Sequence, residues 1–352
     1  MANHDFTGLE EQLNIERRKV DVGNVSFSVR EIVRMFEENE LSIAPSYQRK
    51  YRWPAKVASA FIESMFLGLP IPPIFVATND NFQWEVVDGL QRVSTLISFL
   101  SDDPESLERI GRKEPLKLVD LAKLSQLNGT TFGDLPVSLQ RYFSRQPLQL
   151  VSLTDKSDKL VRFDLFERLN SGAISLTPQE VRSAVYQGKF IDFVEERAAT
   201  PHFSSLLKLK ELDQSDGTAA EQVLKFFAYK NYRDNFKGAV AGFLNKYTDE
   251  ASQSFDYLNE SRVFDATFSF LSETMNGGPF LRSSTSVTPL VHFEAVAVAV
   301  AELLEEGKKP VAPDSDWMHD SELVTASTGG TNTRSMLTRR ITRARELFSS
   351  ND

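Results

Sequence analysis

Apolar positions recur at helical spacing over residues 29–41, with Ile32, Val33 and Phe36 on one side, and this pattern predicts a helix. A short extended segment over 42–47 follows. Next comes a helix over about 55–67, with Val57, Phe61 and Met65 on its apolar side and Gly68 placed to stop it. The run Pro70-Ile71-Pro72-Pro73 imposes an extended connection with few backbone donors. Residues 74–78 and 82–87 read as two strands separated by Asn79-Asp80-Asn81, a hairpin signal. Asp88-Gly89 ends the second strand, and Val93, Leu96, Ile97 and Leu100 restore helical spacing at once. Residues 101–118 read as a charged loop, 148–153 as a strand, and 160–169 as a helix ending at Asn170-Ser171-Gly172. Thr177-Pro178-Gln179-Glu180 is a capping box with proline at the first helical position, and it predicts one long helix reaching Ala198.

Beyond Pro201 the strand signals nearly vanish, and residues 219–231, 239–247, 264–275 and 289–304 all read as helices. A turn-rich loop over 327–332 leads into a last helix with Leu337, Ile341, Ala344 and Phe348 on one face. The pattern therefore predicts an α+β protein: an N-terminal extension over 1–24, an α/β domain over 25–200 and an all-α domain over 201–352. The 352 residues suit two domains, and 41% hydrophobic with 25% charged residues suits a soluble chain with a sizeable core.

Composition narrows the chemistry. The chain has no cysteine, which excludes disulfides, thiolate zinc sites and a cysteine nucleophile. Its four histidines, His4, His202, His292 and His319, are too dispersed for a zincin-type pair, so a metal would be a hard cation held by carboxylates and phosphates. The polar residues 1–19 hold no apolar core of a signal peptide, and the 291–304 stretch is too short to span a bilayer, so a cytoplasmic protein away from membranes is expected. The same 291–304 stretch, with His292 and Glu294, reads as a buried helix. A net charge of −9 argues against duplex binding over the whole surface and leaves room for a local basic groove.

Four segments carry residues suited to chemistry. In Asp88-Gly89-Leu90-Gln91-Arg92 a helix N-terminus offers unpaired N–H groups and partial positive charge to a phosphate. There Gly89 admits an anion to the backbone, Arg92 adds a forked contact, Asp88 can hold Mg2+ or orient water, and Gln91 can position the attacking water. Asp88 is equally readable as the N-cap of a structural helix. Tyr47-Gln48-Arg49-Lys50-Tyr51-Arg52-Trp53 mixes cations, an amide and aromatic faces, as a nucleotide or nucleic-acid site does; a solvated turn with Trp53 capping the core would look the same. Asn170 and Ser171 can contact a ligand from a loop tip or simply end a helix. The last helix carries Arg334, Arg339, Arg340, Arg343 and Arg345, which suits either a nucleic-acid face or the solvated side of an amphipathic closing helix.

In this order and spacing, the segments resemble the ParB/sulfiredoxin-like domain at the N-terminus of GmrSD-type restriction enzymes. The resemblance rests on Tyr47-Gln48-Arg49 with Tyr51 and Trp53, on Gly68-Leu69-Pro70-Ile71, on Val87-Asp88-Gly89-Leu90-Gln91-Arg92, and on Phe166-Glu167-Arg168-Leu169-Asn170-Ser171-Gly172 with Leu176 and Glu180. It covers about residues 25–200 well and the helical half more weakly. It implies an NTP-binding pocket made by Gln48, Arg49, Gly89, Gln91, Arg92 and Asn170, with Asp88, Gln91 and Arg92 carrying any Mg2+-dependent hydrolysis. It also implies a role in defence against foreign DNA.

The family signature reads Asp-Gly-Gln-Gln-Arg, and Leu90 stands at its third position here. A leucine facing the ligand neither accepts from water nor ligates a metal, so turnover is expected to be weak while phosphate binding survives. Many relatives add a C-terminal HNH nuclease, whose histidine-rich chemistry has no counterpart in this sequence, so a separate effector nuclease is the expected partner. Arg52, Arg339, Arg340 and Arg343 are the expected nucleic-acid contacts. Two rival readings keep the fold: a catalytically silent DNA- or partner-binding module, and an antitoxin-like subunit that neutralises a nuclease by contact.

Overall fold

Ser28 starts the helix over Val29–Glu37 by accepting from the Glu31 amide at 3.2 Å through its Oγ, and Val29, Ile32, Val33, Met35 and Phe36 are the buried side of that helix. Local signals of this kind build the computed structural model, which describes residues 8–17, 21–43, 51, 53–78, 81–153, 163, 177–214, 216–283, 285–314 and 316–349. The chain divides into two compact units, Met1–Ser175 and Leu176–Asp352.

The first unit holds a five-stranded sheet: β1 (Val22–Ser28), β2 (Leu41–Ser42), β3 (Ile74–Thr78), β4 (Trp84–Asp88) and β5 (Pro147–Leu153), in the order β1-β5-β3-β4-β2. β3 lies at the centre, antiparallel to β4 and parallel to β5; β1 closes one edge antiparallel to β5, and β2 the other parallel to β4. The hairpin expected from the pattern is present as β3–β4. β1 has only a weak signal in the sequence: Val25 and Phe27 alternate with Ser26 and Ser28, Gly23 and Asn24 interrupt the pattern, and the ladder to β5 completes the strand.

The described helices of this unit are α1 (Leu9–Arg17), α2 (Val29–Glu37), α3 (Ala55–Phe66), α4 (Leu90–Leu100), α5 (Pro104–Arg109) and α6 (Val137–Ser144). α5 lies within the expected loop over 101–118. Asp103 caps it, its Oδ2 accepting from the Ser106 amide at 2.8 Å, and Pro104 opens it. Ile32, Phe36, Ile62, Ile74, Val76, Val93, Leu96 and Leu150 form the heart of the core. Each such side chain contributes roughly 1.5–3 kcal/mol by leaving water. The predicted helix over 160–169 and Asn170 lie outside the described residues, Phe163 excepted.

The described part of the second unit is all helical: α7 (Pro178–Val185), α8 (Lys189–Ala198), α9 (Pro201–Ser204), α10 (Thr218–Asn231), α11 (Val240–Gln253), α12 (Tyr257–Thr274), α13 (Leu290–Glu305), α14 (Ser321–Ala326) and α15 (Arg334–Phe348). Both halves of the capping box form, with Thr177 Oγ1 accepting from the Glu180 amide at 3.2 Å and Glu180 Oε2 from the Thr177 amide at 2.7 Å. The single long helix expected to follow is two. α7 stops at Val185, and Gly188 takes φ +131° before α8 begins, a backbone state that breaks helical propagation. α13 is buried nearly all round, from Phe293 through Ala301, as a helix without a polar face must be. Phe203, Phe226, Phe227, Phe264 and Phe268 pack around the same centre, with Phe203 edge to face on Phe268 and Phe226 edge to face on Phe227 and Phe264. Among the described residues no helix is long and apolar enough to cross a membrane.

Candidate functional site

β4 ends at Asp88, opposite Phe75 of β3, and the chain enters α4 through Gly89 at φ +102°, ψ 11°. This left-handed state costs a side chain about 1–2 kcal/mol, so glycine is required at the junction. Gly89 occupies the cap position and no side chain caps the helix, so Asp88 does not serve as the N-cap. The first turn of α4 thus presents its amides and the positive end of the helix dipole where the strand delivers them. Leu90, expected to face a ligand, is half-buried and packs against the core of the unit, which explains an apolar residue at this position.

Arg92 lies one turn into the helix and folds back. Its Nη2 donates to Asp88 Oδ2 at 2.8 Å, and its Nη1 donates to the Pro73 carbonyl at 3.2 Å and to that of Pro72. The arginine side chain is 12% exposed and that of Asp88 36%. Burial pushes the guanidinium below its ordinary pKa, and the Asp88 carboxylate opposes that shift. A Cβ on Gly89 would sit 3.1 Å from Arg92 Nη2 and 3.1 Å from Ile74 Cγ1, so the missing side chain makes room for the arginine beneath the turn.

The far end of the Tyr47–Trp53 motif reaches the same helix. The Trp53 amide donates to Gln91 Oε1 at 3.1 Å, and Thr95 Oγ1 donates to the Gln91 carbonyl at 2.7 Å and shares a second hydrogen bond with the Tyr51 hydroxyl at 3.1 Å. Arg112 lies over the Tyr51 ring, 5.2 Å from its centroid, and Trp53 packs edge-on against Phe61. Gln48, Arg49 and Arg52 lie outside the described residues, as do Asn170 and Ser171. Thr95 and the Pro72 and Pro73 carbonyls were not marked by sequence. The proline run was the available signal, because residues without N–H donors leave carbonyls seeking a partner.

These segments fall inside a single family match: the model of the GmrSD restriction endonuclease N-terminal domain covers residues 30–187. Residues 30–187 are a GmrSD-type N-terminal domain. No curated protein and no solved structure matches the chain. The GmrSD-type domain runs from α2 through α7 and so includes the strand–turn–helix at Asp88–Arg92, the Tyr51–Trp53 contacts and the capping box at Thr177.

Among the described residues no three histidine or carboxylate side chains gather as a metal cage. Asp88 is a single carboxylate with Oδ2 already on Arg92, so it fits a cation shared with phosphate oxygens and not one held by protein alone.

Beyond the GmrSD-type domain, every arginine of α15 meets an acidic side chain. Arg334 pairs with Asp234 at 2.9 Å, Arg339 with Glu322 at 3.0 Å, and Arg343 with Asp320 and Glu346 at 2.7 and 2.8 Å. Arg345 pairs with Glu302 at 3.4 Å and with Glu306. Arg340 is 1% exposed, donates to the Thr331 carbonyl at 2.8 Å and lies 3.8 Å from Glu294. Ser283 Oγ, His319 and Asp316 form a line with both steps at 3.0 Å, but Asp316 is open to solvent, whereas a catalytic triad shields its carboxylate.

Proposed function

We propose that the protein is a nucleotide-binding regulatory component of a DNA-restriction or phage-defence system, with the phosphates of the nucleotide held at the start of α4. The observation that carries this reading is the entry into α4 within a GmrSD-type domain: a strand ending at Asp88, a left-handed Gly89, and a helix start that no side chain caps. A phosphate there meets backbone N–H groups and the positive end of the helix. Gln91 and Thr95 hold the Tyr51–Trp53 segment beside it, so polar and aromatic groups stand next to the phosphates where a nucleoside would lie. Asp88, together with phosphate oxygens, would hold Mg2+, which neutralises phosphate charge when bound. Leu90 turns to the core and leaves the site without a polar third residue, which favours a sensor over a fast hydrolase. Cutting of DNA then belongs to a separate effector nuclease. The commitment of Asp88 to Arg92 also supports a second reading, a silent DNA- or partner-binding module.

Thermal unfolding with each NTP, with and without Mg2+, tests the proposal. A ligand at a hundred times its Kd stabilises the native state by about 2.7 kcal/mol, so a clear rise in Tm is expected with at least one NTP. No shift with any of them overturns the nucleotide reading. No shift with any NTP, with DNA or a partner protein still bound, selects the silent module.

A further inference from the structure

We infer that Arg92 is a positioning residue of the phosphate turn and not a phosphate ligand: with Asp88 it forms a clasp that ties the connector over residues 70–73 to the start of α4. This inference rests on the proposal that phosphates bind at that turn. The donors of the guanidinium decide the matter. Both Nη1 hydrogens are matched by carbonyls, that of Pro73 at 3.2 Å and that of Pro72, and Nη2 donates to Asp88 Oδ2 at 2.8 Å. At 12% exposure the side chain lies beneath the turn. An arginine that grips phosphate turns two parallel donors toward the open side. A forked grip through its Nη1–Nη2 edge would leave two carbonyls without their donor and draw Nη2 away from Asp88.

Each conspicuous residue of the turn then has a reason internal to the clasp. Gly89 lacks a Cβ because Arg92 Nη2 and Ile74 Cγ1 would each stand 3.1 Å from one. Asp88 ends the strand four residues before Arg92, and the left-handed turn at Gly89 brings its carboxylate to the guanidinium at 2.8 Å. The connector delivers the chain into β3, the central strand, so the clasp fixes the strand–helix junction relative to the sheet. The phosphate contacts are left to the backbone amides of α4, whose position the clasp sets.

Hydrogen exchange, salt dependence and chemical rescue test this on the full chain. In the nucleotide-free protein, Arg92→Lys and Asp88→Asn should each raise amide exchange at Ile71, Ile74 and Phe75 by about tenfold or more, because the first loses the forked contact with the two carbonyls and the second the carboxylate charge that holds Nη2. Arg92→Ala should weaken nucleotide binding with the slope of log Kd against log salt unchanged, and millimolar guanidinium should restore affinity where equal sodium chloride does not. Unchanged exchange at the connector in both conservative variants overturns the clasp. So does a lower salt slope in Arg92→Ala with the connector still protected, which would make Arg92 a phosphate ligand. If the parent binds no NTP, the functional proposal fails while the exchange result still decides the clasp.

Discussion

The two units use their charged side chains in opposite ways. In the first, Asp88 and Arg92 pair at the edge of a turn, with the carboxylate still 36% exposed. In the second, Lys225 Nζ lies 3.0 Å from Glu221 and 3.1 Å from Glu294, inside a helical core. Arg340 approaches Glu294 from the other side at 3.8 Å, and the fully buried Arg182 donates to Asn245 Oδ1 at 3.0 Å and lies 3.8 Å from Glu221. Burial pushes the Arg182 guanidinium down to about 10 although Glu221 opposes the shift. Burial also works against the charge on Lys225, yet Glu294 and Glu221 hold its pKa above the ordinary range. The pair at the turn is part exposed and lies beside the proposed phosphate site. Charges enclosed with their counter-ions respond only to unfolding, so they define the fold of the second unit and not its chemistry.

The largest expected effect tests that contrast directly. Glu294→Ala leaves Lys225 and Arg340 without their shared carboxylate, and breaking a buried ion pair by removing one partner costs about 3–5 kcal/mol. The urea midpoint of the protein should fall accordingly. A loss under about 1 kcal/mol would place the network among surface pairs and erase the difference between the units. Next comes Gly89→Ala. The left-handed backbone alone costs about 1–2 kcal/mol, before the new Cβ meets Arg92 and Ile74. Tm should drop and the NTP-induced shift should shrink with it. An unaltered NTP shift would detach ligand binding from the turn.

How much of this was legible depended on how local each signal was. The β3–β4 hairpin, the entry into α4 and the capping box at Thr177 are written in consecutive residues and appear as read. α5 was legible too, since Asp103-Pro104 with Ser106 is a cap signal, but it was masked by the charges around it. The strand β1 was only weakly so, because its partner β5 begins 119 residues after it ends. The same holds at the site. Gly89 and Arg92 were visible as a motif, but the contacts of Arg92 with the Pro72 and Pro73 carbonyls were not. No spacing rule within the motif reports on a connector 19 residues upstream. Leu90 looked like a missing polar ligand, and its half-buried side chain packs against the core, a contact that the motif alone does not report.

His292 sharpens the comparison from inside the second unit, as a buried titratable group outside the ionic network. Neither ring nitrogen has a hydrogen-bond partner among the described residues, and the ring packs edge-on to Phe280 and Trp317. Burial, aided by the charge on Arg282, pushes its pKa from 6.5 down to about 3. The unfolded chain therefore binds the proton first. Stability is full above pH 6.5 and is lost as pH falls through the window from 6.5 to about 3. His292→Leu should flatten that slope and raise stability at neutral pH by roughly 1 kcal/mol, as two unsatisfied nitrogens leave the core. Urea unfolding across the window reads both effects, and an undiminished slope would assign the titration to the carboxylates instead.

The smallest effect is expected on α15, where charge lies at the surface but is already matched. Arg339 and Glu322 are 47% and 45% exposed at 3.0 Å, and such pairs contribute about 0.2–1 kcal/mol. A cation that binds a DNA phosphate contributes to the salt dependence of binding by releasing counter-ions from the DNA. An arginine held by a carboxylate must first give up that partner, so the gain is offset by the pair that is broken. Arg339→Ala should therefore shift stability by less than about 1 kcal/mol and leave the slope of log K against log salt for DNA binding where it was in the parent. Glu322→Gln supplies the reverse arm: it frees Arg339 and should steepen the slope if the helix can reach DNA at all. A shallower slope in Arg339→Ala would mean that the pair opens to admit a phosphate, and the surface of the second unit would then respond to ligand as the turn of the first is proposed to do.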